Sequence, residues 1–186
     1  MSSRRVGLVL LCEDSQHEAF TRRFLKGMGW ETRELRVEMS PSGRGSAEQW
    51  VREKFATELV AYRDRSSRAA SALVTMIDAD AGTVQDRVND LREACRAKQI
   101  RFRAPDEAVA IAVPKRNIET WIHYLKGNPA NEEAEYPRLD RTSECQDAVD
   151  ALLEQCRPPG LRPDAPPSLA VACNEYNDRI RPARPA

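Results

Sequence analysis

Leu73-Val74-Thr75-Met76-Ile77-Asp78-Ala79-Asp80, followed by Ala81-Gly82-Thr83, is the stretch on which the reading of this chain turns. Leu73 to Ile77 is mostly apolar and rich in β-formers, which predicts a buried strand. That strand ends at two aspartates one residue apart, Asp78 and Asp80. Thr83 then suits the N-cap of a helix whose apolar stripe is Val84, Val88, Leu91 and Cys95, spaced i, i+4, i+7 and i+11. In an open α/β sheet the junction between strand end and helix start is where ligands bind. Carboxylates gathered there raise one another's pKa unless a cation neutralises them. A hard, oxygen-seeking divalent ion such as Mg²⁺ is the economical neutraliser. The competing reading is a polar turn whose aspartate only caps the helix.

Upstream, Val6 to Cys12 (VGLVLLC) is a near-continuous apolar run, the mark of a strand covered on both faces and hence of a parallel sheet. It ends at Glu13-Asp14. Ser15 with Glu18 three residues on has capping-box spacing, and the helix it starts is expected to bury Ala19, Phe20 and Leu25 and to stop at Gly27. Leu35, Val37 and Met39 alternate with Glu34, Arg36 and Glu38, which predicts a half-exposed strand toward a sheet edge. The loop Ser40 to Ser46 follows. Its Gly43, Arg44 and Gly45 can meet phosphates through backbone N–H groups and a guanidinium, but the loop lacks the Lys-Ser/Thr ending of a P-loop, and a plain mobile connector is the alternative. A helix over about 47–65 presents Val51, Phe55, Leu59 and Tyr62 on one face, with Trp50 beside them.

Downstream, Ala108 to Val113 (AVAIAV) reads as another buried strand. Pro114-Lys115-Arg116-Asn117 leads into a helix whose stripe is Ile118, Trp121, Ile122 and Leu125, with Glu119 off that stripe in the first turn. Either these polar residues belong to a site, or Glu119 complements the helix dipole and Lys115 and Arg116 are solvated. Gly127 to Leu139 is polar and predicts loop, and Arg157 to Pro167 (RPPGLRPDAPP) predicts an irregular connector. Glu144 to Cys156 and Ser168 to Ile180 read as two further helices, the first with Ala148, Val149, Leu152 and Leu153 as core.

The order β-α-β-α-β-α-β-α plus two helices predicts an α/β fold: a Rossmann-like, mostly parallel four-stranded sheet with helices on both faces and C-terminal helices. One domain is expected, with an α/β core over 1–126 and a helical extension over 127–186 packed on it. The strand tips of a parallel sheet share one edge. Glu13 can therefore meet Asp78 and Asp80 although 65 residues separate Glu13 from Asp78, and Lys115, Arg116 and Glu119 can join them.

Composition narrows the function only by exclusion. Lys+Arg and Asp+Glu are both 29, so net charge points to no partner. Of the 29 basic residues 24 are Arg, which suits bidentate phosphate contacts and equally suits codon bias in a GC-rich genome. The five cysteines (Cys12, Cys95, Cys145, Cys156, Cys173) show no CxxC spacing. With no signal peptide and no run of 18 apolar residues, a cytoplasmic, reduced protein without membrane association is expected. His17 and His123 are expected on helix surfaces or partly buried rather than as ligands, and Trp30, Trp50 and Trp121 are expected in the core.

The lone Glu after the first strand (Leu10-Leu11-Cys12-Glu13) and the Asp78-Ala79-Asp80 after the third resemble the Toprim family. More narrowly the chain is similar to the small stand-alone Toprim proteins related to OLD-type and RloB-like nucleases. They open with Glu-x-x-x-Glu-x-Phe, to which Glu13, His17-Glu18 and Phe20 correspond with slightly different spacing, and they carry a segment like Asn117-Ile118-Glu119-Thr120-Trp121. The likeness covers roughly residues 6 to 125. It implies a Toprim core, one or two Mg²⁺ or Mn²⁺ ions, and phosphodiester hydrolysis on DNA or RNA in a defence or repair setting. It implies Asp78 and Asp80 as metal ligands, Glu13 as ligand or general acid/base, and Glu119 as a further ligand. Lys115 or Arg116 would then stabilise the transition state, and Gly43, Arg44 and Gly45 would hold the nucleic-acid backbone. The tyrosine domain of the topoisomerases and the ATPase of larger OLD proteins do not fit in 186 residues, so strand joining is disfavoured and any ATPase would be a separate subunit. A non-hydrolytic Toprim subunit that works only with such a partner is the alternative, and a homo-oligomer is a further partner expectation. A receiver-like signalling domain is the lesser alternative.

Overall fold

The computed structural model of the chain describes residues 6–43 and 45–184. Four parallel strands, β1 (Leu8–Cys12), β2 (Leu35–Met39), β3 (Ala72–Met76) and β4 (Val109–Ala112), pair in the order β2-β1-β3-β4. The apolar runs predicted to be doubly covered are the two central strands, and every residue of β1 and β3 is buried. β2 lies at one edge, as its alternation predicts, with Leu35 buried and Met39 exposed.

The helices are α1 (Ser15–Gly27), α2 (Ala47–Ser66), α3 (Val84–Ala97), α4 (Ile118–Leu125), α5 (Gln146–Gln155) and α6 (Pro167–Glu175), the last continued by a π-helical turn over Tyr176–Ile180. The chain leaves β1 toward β2 and later leaves β3 in the opposite direction toward β4. Right-handed crossovers therefore put α1 on one face and α2 and α3 together on the other. α5 packs beside α1, and α6 packs on β4. Among the described residues no helix is long and apolar enough to cross a membrane.

β4 forms the other edge, and its unpaired backbone groups are met by side chains. Arg103 donates to the Val109 carbonyl at 2.7 Å, Ile111 N–H donates to Glu175 Oε2 at 2.9 Å, and Arg103 and Glu175 pair with each other. An ion pair lying along the strand covers these two groups against pairing with another chain.

Two expectations need correction. Asp14, not Ser15, caps α1, its Oδ1 accepting from Gln16 N–H and His17 N–H at 2.9 Å each. The helix stops at Gly27 as expected, where a Cβ would meet the Leu153 side chain, and Gly29 at φ +95 turns the chain after it. The cysteines are not all thiols: Cys156 and Cys173 form a disulfide, their Cα atoms 5.6 Å apart where the end of α5 meets α6. Cys12, Cys95 and Cys145 are free and buried. The Thr83 cap stands as expected, in a capping box with Asp86. Trp30 and Trp121 are core residues, and Trp50 is partly buried against the core.

Candidate functional site

Strand order β2-β1-β3-β4 reverses direction between β1 and β3, which opens a crevice beyond the carboxyl ends of those two strands. Glu13 follows β1 and Asp78 follows β3 by two residues. Because Cys12 is in register with Met76, the two acids emerge side by side. The Asp78 N–H donates to Glu13 Oε1 at 2.6 Å. The chain beyond β3 keeps tracking the segment beyond β4: Ala79 N–H donates to Pro114 O at 2.9 Å and Asp80 N–H to Arg116 O at 3.2 Å. The tips of β1, β3 and β4 thus meet at one place.

His17 stands at the centre of this cluster. It is fully buried, and its Nε2 lies 3.0 Å from Asp78 Oδ1. The Asp14 cap sets its position, since that bond fixes the first turn of α1 from which the ring projects. Burial alone pulls the imidazole down, but the carboxylate of Asp78, helped by those of Asp14 and Glu13, outweighs it and lifts His17 to about 9. When the ring is protonated Nε2 donates to Asp78, while Nδ1 is buried with no partner among the described residues. Burial pushes the Glu13 carboxyl up to about 7; His17 opposes this and Asp78 reinforces it. Burial and the Asp78 charge also raise Asp80, against the pull of Arg87. The expectation that His17 is peripheral is therefore wrong. Its only signal in the sequence is its place one helical turn after Glu13.

Arg87, in the first turn of α3, is the second residue the sequence reading missed. Its Nε donates to the Asp78 carbonyl at 2.8 Å and its Nη2 lies 3.4 Å from Asp80 Oδ2. The same guanidinium pairs with Glu48 and, at 3.2 Å, with Asp90. Asp80 has a left-handed backbone (φ 52) and an exposed side chain, so this clamp holds a turn that few side-chain-bearing residues adopt.

The other expected residues divide. Glu119 is buried rather than displayed on the α4 surface, and burial, opposed by its own N–H and reinforced by Asp78, raises its carboxyl. Lys115 and Arg116 lie at the rim, but each pairs with a glutamate of the 127–139 segment: Lys115 with Glu133, and Arg116 with Glu135 at 2.6 Å. Gly43 and Gly45 have positive φ and are exposed in the loop beyond edge strand β2. Arg44 lies outside the described residues. His123 stacks on Tyr136, with ring centroids 4.2 Å apart.

Among the described residues no group of three or more His, Cys, Asp or Glu side chains is gathered closely enough to cage a metal ion. The donor chemistry fits Mg²⁺ all the same. That ion keeps several waters and is held by one or two carboxylates together with substrate phosphates, not by an all-protein cage. Glu13 Oε1 and Asp78 Oδ1 are taken by hydrogen bonds, and among the described residues nothing bonds their second oxygens. A carboxyl held near pH 7 beside another carboxylate calls for either a proton or a cation. Comparison of the chain with protein-family models, with curated proteins and with solved structures finds no match.

Proposed function

We propose that this chain is a metal-dependent phosphodiesterase acting on nucleic acid, and that Glu13, Asp78 and Asp80 form its centre. The observation that carries the reading is the meeting of Glu13 with Asp78, through a 2.6 Å hydrogen bond, at the reversal point of the sheet. Glu13 and Asp78, together with Asp80 and Glu119, would hold a Mg²⁺ or Mn²⁺ ion, which would lower the pKa of a water and offset charge on the phosphate. His17 orients Asp78 through the 3.0 Å contact of its Nε2 with Asp78 Oδ1. Burial holds the Glu13 carboxyl up at about 7, so a metal bound there would displace its proton. Lys115 and Arg116, at the rim beside Asp80, meet the charge of the substrate. The likeness of Glu13, Asp78-Ala79-Asp80 and Asn117 to Trp121 to the Toprim nucleases supports the same reading.

The test is cleavage of supercoiled plasmid, single-stranded DNA and structured RNA with and without Mg²⁺ or Mn²⁺. Wild type is expected to cleave at least one of them only with metal, and Asp78→Ala to abolish cleavage. Equal cleavage by the variant sinks the assignment. Mn²⁺ binding without cleavage, converted to cleavage by an added ATPase subunit, favours the non-hydrolytic subunit instead.

A further inference from the structure

Lys115 and Arg116 close the tip of β4, and the Arg116 carbonyl accepts the N–H of Asp80. Their side chains are about one third exposed. Both are covered by the same short segment, which sends Glu133 to Lys115 and Glu135 to Arg116. The two glutamates are 69% and 74% exposed, so little packing holds them there. The segment around them is tied down separately. Glu132 Oε1 accepts from Ser168 N–H at 2.9 Å and from its hydroxyl at 2.5 Å, and Asn131 N–H donates to the Tyr136 hydroxyl at 2.8 Å. The anchors flank the two exposed carboxylates, so Glu133 and Glu135 can swing away while Glu132 and Tyr136 stay in place.

This arrangement solves an electrostatic problem at the crevice. Glu13, Asp78 and Asp80 repel a polyanion; His17 and Arg87 beside them are already paired with Asp78 and with Asp80 and Glu48, whereas Lys115 and Arg116 at the rim are paired with exposed glutamates. A pair of carboxylates on alternate residues is a stand-in for successive phosphates. Exposed ion pairs of this kind are weak, and a phosphate bound bidentately by Arg is a stronger ligand than a solvated carboxylate. We infer that Lys115 and Arg116 seat the phosphodiester backbone of a nucleic acid, and that Glu133 and Glu135 hold that seat in the free protein until the backbone displaces them. The inference takes its ligand class from the proposed function. Its test uses binding without metal, so absence of hydrolysis does not decide it.

The experiment is fluorescence anisotropy of a labelled single-stranded oligothymidylate with the whole chain in EDTA, across a salt series. Removing the competing carboxylates in E133Q/E135Q is expected to tighten binding about tenfold, the ratio for two exposed ion pairs that no longer have to break. K115Q/R116Q is expected to weaken it and to flatten the salt dependence by about 1.4, for two phosphate contacts on a single strand. Adding E133Q/E135Q to K115Q/R116Q should then change nothing, because the glutamates act through those two cations. E93Q/E154Q, which removes the same charge elsewhere on the surface, controls for net charge, and thermal unfolding checks that each variant folds. Equal tightening by E133Q/E135Q and E93Q/E154Q overturns the inference. So does unchanged binding by K115Q/R116Q, or no binding by wild type and E133Q/E135Q alike.

Discussion

Replacing Asp78 by Asn keeps the shape of the side chain and an oxygen that can accept from His17 Nε2, and removes only the charge. His17 is fully buried and lifted from 6.5 to about 9, chiefly by Asp78 against the opposing effect of burial. A lift of that size corresponds to at most about 3 kcal/mol of stability, of which Asp14 and Glu13 supply a part. Asp78→Asn should therefore cost about 2 kcal/mol where His17 is charged in the folded state. The sign with pH follows from linkage. A raised folded pKa gives stability that is complete below the unfolded value of 6.5 and is lost as pH rises through about 9. Near pH 6 Glu13 still holds its proton, because its carboxyl is pushed up to about 7, and the His17–Asp78 pair acts alone. Above pH 9 the imidazolium that pairs with Asp78 is gone, so the same substitution should be neutral or stabilising. Urea unfolding followed by the fluorescence of Trp30 and Trp121 measures this directly. At about pH 6 the midpoint should fall by roughly 1 M, given a slope of about 1–3 kcal/mol/M, and at about pH 9.5 the two proteins should coincide or reverse. An equal loss at both pH values would refute the buried ion pair.

The remaining predictions concern the same cluster and its frame. Glu13→Gln keeps the acceptor for the Asp78 N–H and removes a carboxylate whose raised folded pKa makes wild-type stability fall as pH rises from 4.5 through about 7. It should be about 1–2 kcal/mol more stable than wild type at pH 8 while losing Mn²⁺ affinity, and an equally or less stable variant by urea unfolding would contradict this. Glu175→Ala removes the acceptor of the Ile111 N–H and leaves the Arg103 guanidinium at the β4 edge with the Val109 carbonyl but without its carboxylate. A cost of about 2–4 kcal/mol and concentration-dependent light scattering are expected; a monodisperse variant of wild-type stability would count against the edge argument. Gly29→Ala puts a Cβ on a residue at φ +95 that points at the Arg184 guanidinium, so it should lower stability by about 1–2 kcal/mol, read as a drop in the thermal midpoint.

The reach of the sequence follows from the range of the forces involved. Hydrophobic periodicity, β-branching and caps act within a few residues, so VGLVLLC, LVTMI and AVAIAV announce strands and Thr83 announces α3 without knowledge of the rest. Parallel topology then follows from connection rules, and it brings Glu13 beside Asp78 as the reading from tips to a shared edge requires. The difference between Asp14 and Ser15 as cap turns on one backbone torsion, and local pattern admits both.

Side-chain partners obey no such local rule. That His17 meets Asp78 depends on the angle at which α1 leaves β1 and on the register of β1 with β3, and 61 residues separate the two. Arg87 reaches Asp78 and Asp80 because the turn between β3 and α3 doubles back. The Cys156–Cys173 bond, the Glu175 cover on β4 and the glutamates on Lys115 and Arg116 each join elements brought together by packing alone. The chain by itself determined an α/β sheet with acids at its tips. Tertiary structure alone decided which cations face those acids, because attraction between charges depends on separation in space and takes no account of separation along the chain.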